Sequence, residues 1–288
     1  MSQNCAPADS AVYCRRVTSR HAKSFYFSSM GLPPRKKEAA YAVYAFCRYA
    51  DDVVDEAPDH DTAAIAIEKV GREFDRILAG EAEELPFAPA FAWAVNRYQI
   101  PRQLFLDLVK GVSMDLGPVR LQTWEELRDY CYHVASVVGL MMCRIFELED
   151  QTQQARAIDL GIAMQLTNIC RDIREDHERG RIYLPAEELD RFGIPAGQLA
   201  DGPVNQAWIS LMQFQIARAQ DYYRSSEPGI QALAKDGSQF TVWLMRYVYG
   251  GILDEIERLR YDVFSRRAAT SKWRKAQLAL KAWRASRH

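Results

Sequence analysis

The stretch "GIAMQLTNICRDIREDHERGRIYLP", Gly161 to Pro185, sorts its side chains by helical period. Gln165, Asn168, Asp172 and Asp176 follow at spacings of three, four and four, so they share one face of a helix. Ile162, Leu166 and Ile169, with Ile173 following, take the opposite face. A helix that buries Ile and Leu on one side and turns two amides and two carboxylates to the other fits the wall of a polar cavity. Such a cavity needs a second wall.

The stretch "YAFCRYADDVVDE", Tyr44 to Glu56, supplies one, with Asp51, Asp52, Asp55 and Glu56 inside six positions. On a helix over Lys36–Glu56, the residues Tyr41, Tyr44, Arg48, Asp51 and Asp55 share a face that is aromatic at one end and acidic at the other. An ordinary solvated face mixes Lys with Glu, and one Asp-x3-Asp pair alone carries little weight. Two such pairs far apart in sequence, each extended along its face, carry more. Carboxylates one turn apart, about 5–6 Å between Cβ atoms, can share cations. Mg2+ suits them, because it takes oxygen ligands and is held by one or two carboxylates, waters and substrate phosphates. Without a cation, facing acids would repel an anionic diphosphate, at about 4 kcal/mol for like charges about 4 Å apart near a surface. Zinc fits less well, since no His or Cys stands at ligand spacing nearby and His177 falls elsewhere on its helix.

Around these two stretches helical spacing dominates and alternating strand patterns are almost absent. The long helices predicted are Lys36–Glu56, Trp124–Leu148, Ala155–Asp176, Asn205–Ser226, Phe240–Val263 and Ser271–Ser286. Gly and Pro punctuate the intervals, as in "MGLPP" at 30–34 and "FGIPAG" at 192–197. Pro185 followed by Ala186, Glu187 and Glu188 reads as a helix first turn with acids at its positive end. Gly139 in "VASVVGLMM" reads as a close helix approach. No repeat of fixed period and no low-complexity linker occurs, so residues 1–288 are expected to form one all-α domain.

Composition narrows the function. The 37 basic and 38 acidic residues nearly cancel, which argues against nucleic acid as a partner. Cys5, Cys14, Cys47, Cys131, Cys143 and Cys170 form no CxxC pair and read as buried reduced thiols. There is no signal-peptide pattern at the start and no apolar run long enough to span a bilayer. The compartment expected is the cytoplasm, with any membrane contact confined to the protein surface.

The chain resembles the squalene/phytoene synthase family, the head-to-head trans-isoprenyl diphosphate synthases. "HAKSFYFSSMGLP" (21–33), "YAVYAFCRYADDVVDE" (41–56), "YCYHVASVVGLMM" (130–142), "AMQLTNICRDIREDHERGRIYLP" (163–185) and "YVYGGILDEIERLRYDVFSRR" (247–267) carry the likeness. The resemblance implies an all-α isoprenoid-synthase bundle with a central cavity between two aspartate-rich helices. It implies the condensation of two allylic diphosphates through a cyclopropylcarbinyl diphosphate to a C30 or C40 product. Carried over by position, Asp51 and Asp55 match the first aspartate motif, and Asp172 and Asp176 the second. Asn168 joins them as a metal ligand, with Gln165 on the same helix. Arg48, Arg171, Arg181 and Arg266 match diphosphate-side basic positions. His21 and Lys23 match the N-terminal substrate segment, and Tyr132 and Tyr249 match cavity tyrosines near the reacting carbons. The metal implied is Mg2+, with Mn2+ as an alternative.

Chain length stays open. Phe25, Ser29 and Tyr41 are the tunnel-side positions expected at the N-terminus, and the small Ser29 favours a C20 tail and phytoene over a C15 tail and presqualene diphosphate, squalene or dehydrosqualene. No glycine-rich dinucleotide fingerprint follows a strand, which disfavours an NADPH-dependent finish. A class I terpene cyclase or a head-to-tail synthase would share acidic helices, but "NICRDIREDHERGRIYLP" resembles the head-to-head group specifically. A non-catalytic helical binding protein would have no need of four motif aspartates with their arginines. A C30 or C40 hydrocarbon does not leave into water, so peripheral membrane contact is expected. The last helix, with Trp273 and Trp283 among Lys and Arg, fits either an interfacial helix or one packed on the bundle. Nothing in the chain reads on oligomeric state.

Overall fold

A computed structural model describes residues 6–57, 59–82, 84–148, 150–202 and 204–287. The chain opens with α1 (Ala8–His21), a break at Ala22, and α2 (Lys23–Ser28). Helix α3 (Pro34–Asp55) starts with a proline in its first turn, where the missing N–H costs no hydrogen bond. It buries Ala39, Ala40, Val43, Phe46 and Ala50 against its neighbours. Helices α4 (His60–Ala79), α5 (Ala88–Tyr98) and α6 (Arg102–Ser113) close around the buried end of α3. The seam is aromatic: Phe46 stacks on Phe91 at 4.5 Å between centroids, and Phe105 meets Phe74 at 4.7 Å. Asp59 caps α4 by accepting from the Thr62 backbone N–H, and Gly80 ends it in the left-handed conformation at φ 76°.

The helix predicted over Trp124–Leu148 is observed as α7 (Trp124–Cys131), a π-helical turn over Tyr132–Ser136, and α8 (Val137–Ile145). The turn lies against α9 (Gln154–Glu178), the central helix. The two backbones meet at Gly161, where a Cβ would stand 2.5 Å from the Ser136 Cα. Only glycine allows that approach. Gly139 behaves similarly, with a Cβ there 3.3 Å from the Ala157 carbonyl oxygen.

After α9 come α10 (Ala186–Arg191), α11 (Gln206–Gln231), α12 (Ser238–Arg258) and α13 (Lys272–Ala285). Helix α12 stops short of the predicted Val263, because Arg260 and Tyr261 take positive φ values of 53° and 64°. The strand content among the described residues is one two-residue parallel ladder, β1 (Val119–Arg120) with β2 (Arg181–Ile182). It ties the loop after α6 to the end of α9. Two hydrophobic clusters result, one around α3 to α6 and α8, the other around α9 to α12. Cys14, Cys47, Cys131, Cys143 and Cys170 are free thiols, while Cys5 lies outside the described residues.

Candidate active site

Between α3 and α9 lies a polar chamber of about 300 Å³. Asp51, Asp55 and Arg48 enter it from α3, and Gln165, Asn168, Arg171, Asp172 and Asp176 enter from α9. The facing acidic helices thus open into one space, as expected of them. Arg179 and Arg181 follow from the end of α9, and Asp115, Tyr130 and Tyr183 complete the wall.

A second cavity, about 280 Å³ and mostly apolar, shares Asp51, Val134, Gln165 and Asn168 with the first. It is walled by Ala22, Phe25, Tyr44, Val138, Met142, Leu160, Met164 and Tyr249, and reaches Phe146, Leu148 and Gln153 at its far end. From Val134 to Phe146 the wall runs 12 residues, about 18 Å at a helical rise of about 1.5 Å each. Arg156 also borders this cavity, but its guanidinium is taken up by Ser225 Oγ at 2.7 Å and Asp159 at 3.6 Å. A charged head chamber therefore opens directly onto a greasy tunnel.

Charge is distributed unevenly in the chamber. Enclosure by protein pushes the Asp51 carboxyl up to about 7; Arg48 opposes the rise, while Asp55 and Asp115 add to it. Asp51 still opens to the chamber, so water there screens part of that effect. Asp176 is also pushed up to about 7, by burial and then by the charges of Asp172 and Asp115. Asp172 moves the other way: burial works to raise it, but hydrogen bonds from Arg171 and Arg267 win and hold it low. Arg267 Nε donates to Asp172 Oδ1 at 2.7 Å. Asp55 accepts from Arg179 at 3.0 Å and Arg181 at 3.2 Å. Arg48 is held in turn by Asp52 on the next turn of α3.

The donor set fits a divalent cation of a particular kind. Among the described residues no three acidic, His or Cys side chains converge on one point, so there is no closed protein cage. Carboxylates in pairs, two of them raised by enclosure and then by like charge, suit a cation completed by water and phosphate oxygens.

Several expected residues stand elsewhere. Tyr132 does not line either cavity; Tyr130 and Val134, four apart, hold the chamber side of the helix, and Tyr132 between them is half-buried on the other side, edge-on to His133 at 5.2 Å and toward Asp107 and Asp129. Tyr130, two residues earlier, takes the inward position. Arg266 is exposed, and the loop after α12 presents Arg267 to Asp172 instead. Ser29 and Tyr41 are both buried and hydrogen-bonded to each other at 2.7 Å, behind Phe25, and neither lines the tunnel. The small Ser29 therefore does not deepen it. His21 and Lys23 are exposed at the α1–α2 break, where Ala22 and Phe25 alone reach the cavity.

Sequence reasoning missed Asp115, Tyr130, Arg179, Tyr183 and Arg267, and left Tyr44 as a face residue without a role. Asp115 accepts from Tyr183 Oη at 2.7 Å and Tyr130 Oη at 3.0 Å, with the two rings stacked at 4.7 Å. Tyr44 had a signal, since it shares the Arg48–Asp51 face. Asp115 and Arg267 had none, because both sit on irregular chain.

The squalene/phytoene synthase profile matches residues 18–274. The chain belongs to the squalene/phytoene synthase family. It is 40% identical over 276 residues to 15-cis-phytoene synthase of Synechococcus elongatus, covering 91% of this chain and 88% of that one. To 15-cis-phytoene synthase of Synechocystis sp. it is 40% identical over 277 residues, 92% of this chain and 82% of that one. It superposes on a crystal structure of a dehydrosqualene synthase with a TM-score of 0.88 and 29% identity, over 96% of this chain and 95% of that one. The bundle is the isoprenoid-synthase fold, and this family member is a prenyltransferase. The family's substrates are isoprenyl diphosphates, and prenyl diphosphate synthases of its kind generally use a divalent metal.

Proposed function

We propose that this prenyltransferase joins two molecules of geranylgeranyl diphosphate head to head, through a cyclopropylcarbinyl diphosphate, to give phytoene and two diphosphates. One observation carries the reading: the carboxylate–arginine chamber and the apolar tunnel meet at Asp51, Val134, Gln165 and Asn168. A prenyl diphosphate laid across that junction puts its head among charges, its tail among hydrocarbons and its breaking C–O bond between them. The C20 substrate is favoured by the 40% identity to phytoene synthases. The whole chain is read as one domain.

Mg2+, held through Asp51 and Asp55 on one wall and Asn168, Asp172 and Asp176 on the other, would neutralise the diphosphate and favour its departure. The chain's own groups do the rest. Arg48, Arg171, Arg179 and Arg181 bind phosphate oxygens and stabilise the charge that develops on the leaving group. Arg267 keeps Asp172 ionised and oriented. Loss of diphosphate leaves an allylic cation, which the ring faces of Tyr44 and Tyr249 at the tunnel wall stabilise. Phe25, Met142, Leu160 and Met164 hold the tail extended and keep water from the cation. Two protons are lost overall, one on closing the cyclopropane and one on forming the central double bond. No hydride is needed, so NADPH has no part in the reaction. No described helix is long and apolar enough to cross a membrane. The reading places the enzyme in the cytoplasm, with peripheral membrane contact for its hydrocarbon product.

The test is incubation of purified protein with Mg2+ and C15 or C20 diphosphate, with and without NADPH, and identification of the extracted product. Phytoene from the C20 substrate alone is expected. A C30 product from farnesyl diphosphate, with none from the C20 substrate, overturns the choice of substrate.

A further inference from the structure

Helix α13 has two unlike sides. Leu278 and Ala282 are buried against the bundle. On the outer side Trp273 is 84% exposed, Leu280 50% and Trp283 44%. Spacings of seven and three put these three on one face. They account for three of the seven large hydrophobic residues exposed anywhere among the described residues. The segment that carries them is basic: from Phe264 to the last residue the sequence holds eight Lys and Arg and no Asp or Glu, in a chain whose net charge is −1. Arg274 pairs with Asp254 at 3.1 Å and Arg267 with Asp172. Among the described residues, Lys272, Lys281, Arg284 and Arg287 form no ion pair.

The position of the helix bears on what it meets. Lys275 reaches Ser24 Oγ of α2 at 3.4 Å and lies over the Phe27 ring at 6.0 Å. Partial burial and the neighbouring charge of Lys23 push Lys275 below the ordinary lysine value, so Lys23 belongs to the same basic surface. Helix α2 also supplies Phe25 to the tunnel wall. The basic, indole-bearing face and the tunnel thus share a structural element.

We propose that the outer face of α13, with Lys23 beside it, docks the protein on a bilayer that carries anionic lipid, lying in the interface without crossing it. Indole rings are favoured at the boundary between headgroups and acyl chains, and Leu280 adds aliphatic surface that only hydrocarbon rewards. The cations answer the negative surface of the leaflet. A solvated terminal helix would not hold two exposed Trp and a Leu on one face. A nucleic acid would use the cations and rings but not the Leu. The proposal deepens the membrane contact of the reading above by naming its surface and its lipid.

The test is co-sedimentation of the full chain, without substrate, on vesicles of phosphatidylcholine alone and of phosphatidylcholine mixed with phosphatidylglycerol. The expected result is binding to the anionic vesicles, weakened by salt, with a blue shift of Trp emission. Trp273→Ser combined with Trp283→Ser, and separately Lys272→Glu combined with Lys281→Glu and Arg284→Glu, should each lower the partition coefficient by about tenfold or more. Circular dichroism should show both variants folded, and turnover of detergent-dispersed substrate should be unchanged. A wild-type chain that stays in the supernatant overturns the proposal, as do variants that bind as well as wild type. So does use of the same residues for a dimer or an oligonucleotide while vesicles are ignored. A chain that binds vesicles but makes no phytoene overturns the proposed function and leaves this surface standing.

Discussion

Asp51 and Asp172 face the same chamber from opposite helices, yet their charges are managed differently. Asp172 is held low by two arginines, whereas at Asp51 enclosure outweighs the opposing charge of Arg48, and Asp55 and Asp115 add to the rise. Asp51→Asn and Asp172→Asn should each abolish turnover in a product assay while helicity by circular dichroism survives, since both side chains line a chamber and neither fills the core. Full activity in both would remove them from the site. A pH dependence follows as well. Asp51 and Asp176 ionise near 7 in the folded, metal-free protein and near 4 when unfolded, so between these values the folded state binds more protons. Stability contributed by these two groups is present below about pH 4 and is lost as pH rises toward about 7. The melting temperature of the metal-free protein should fall across that window by an amount that Asp51→Asn with Asp176→Asn removes. Added Mg2+ should oppose the fall, because cation binding displaces the protons. These aspartates were legible in the sequence because a helix repeats its direction every three to four residues. Asp115 and Arg267 were not, because a loop has no period.

At the scale of elements, the helices anticipated around long periodic runs are present, with ends shifted by a few residues. The exception is informative. The run from Trp124 to Leu148 contains a π-helical turn over Tyr132–Ser136; Tyr130 and Val134, four apart, face the chamber, and Tyr132 between them falls on the other side of the helix. Such turns occur often at functional sites. Here the π turn meets α9 at Gly161. Gly161→Ala should destabilise the protein by about 1–3 kcal/mol, because the added methyl meets Ser136 backbone that has no room to withdraw. Thermal unfolding measures this, and an unchanged melting temperature would show that the contact is looser than described. Helices α1, α2, α4, α5, α6 and α10 were not among the runs anticipated; α2 and α10 have only six residues each, whereas α4 runs for 20 residues with Ile67, Val70, Phe74 and Ile77 buried at helical spacing, a pattern the sequence did carry.

Across the whole molecule, the tunnel is bounded by elements that are distant in sequence: α2, α3, the π turn with α8, α9, α11 and α12. Its length sets which tail fits, and Ala157 stands toward its far end. Ala157→Phe should shorten it. The ratio of kcat/KM for the C20 over the C15 diphosphate should then drop by about tenfold or more. An unchanged ratio would mean that the tail lies elsewhere. Sequence alone determined that the chain is helical and that two faces carry paired carboxylates, because period and residue type are local properties. Tertiary structure alone decided which tyrosine and which arginine face the chamber, that Ser29 is spent on Tyr41, and where the tunnel ends. Those depend on how distant backbones approach one another, and no local pattern encodes that distance.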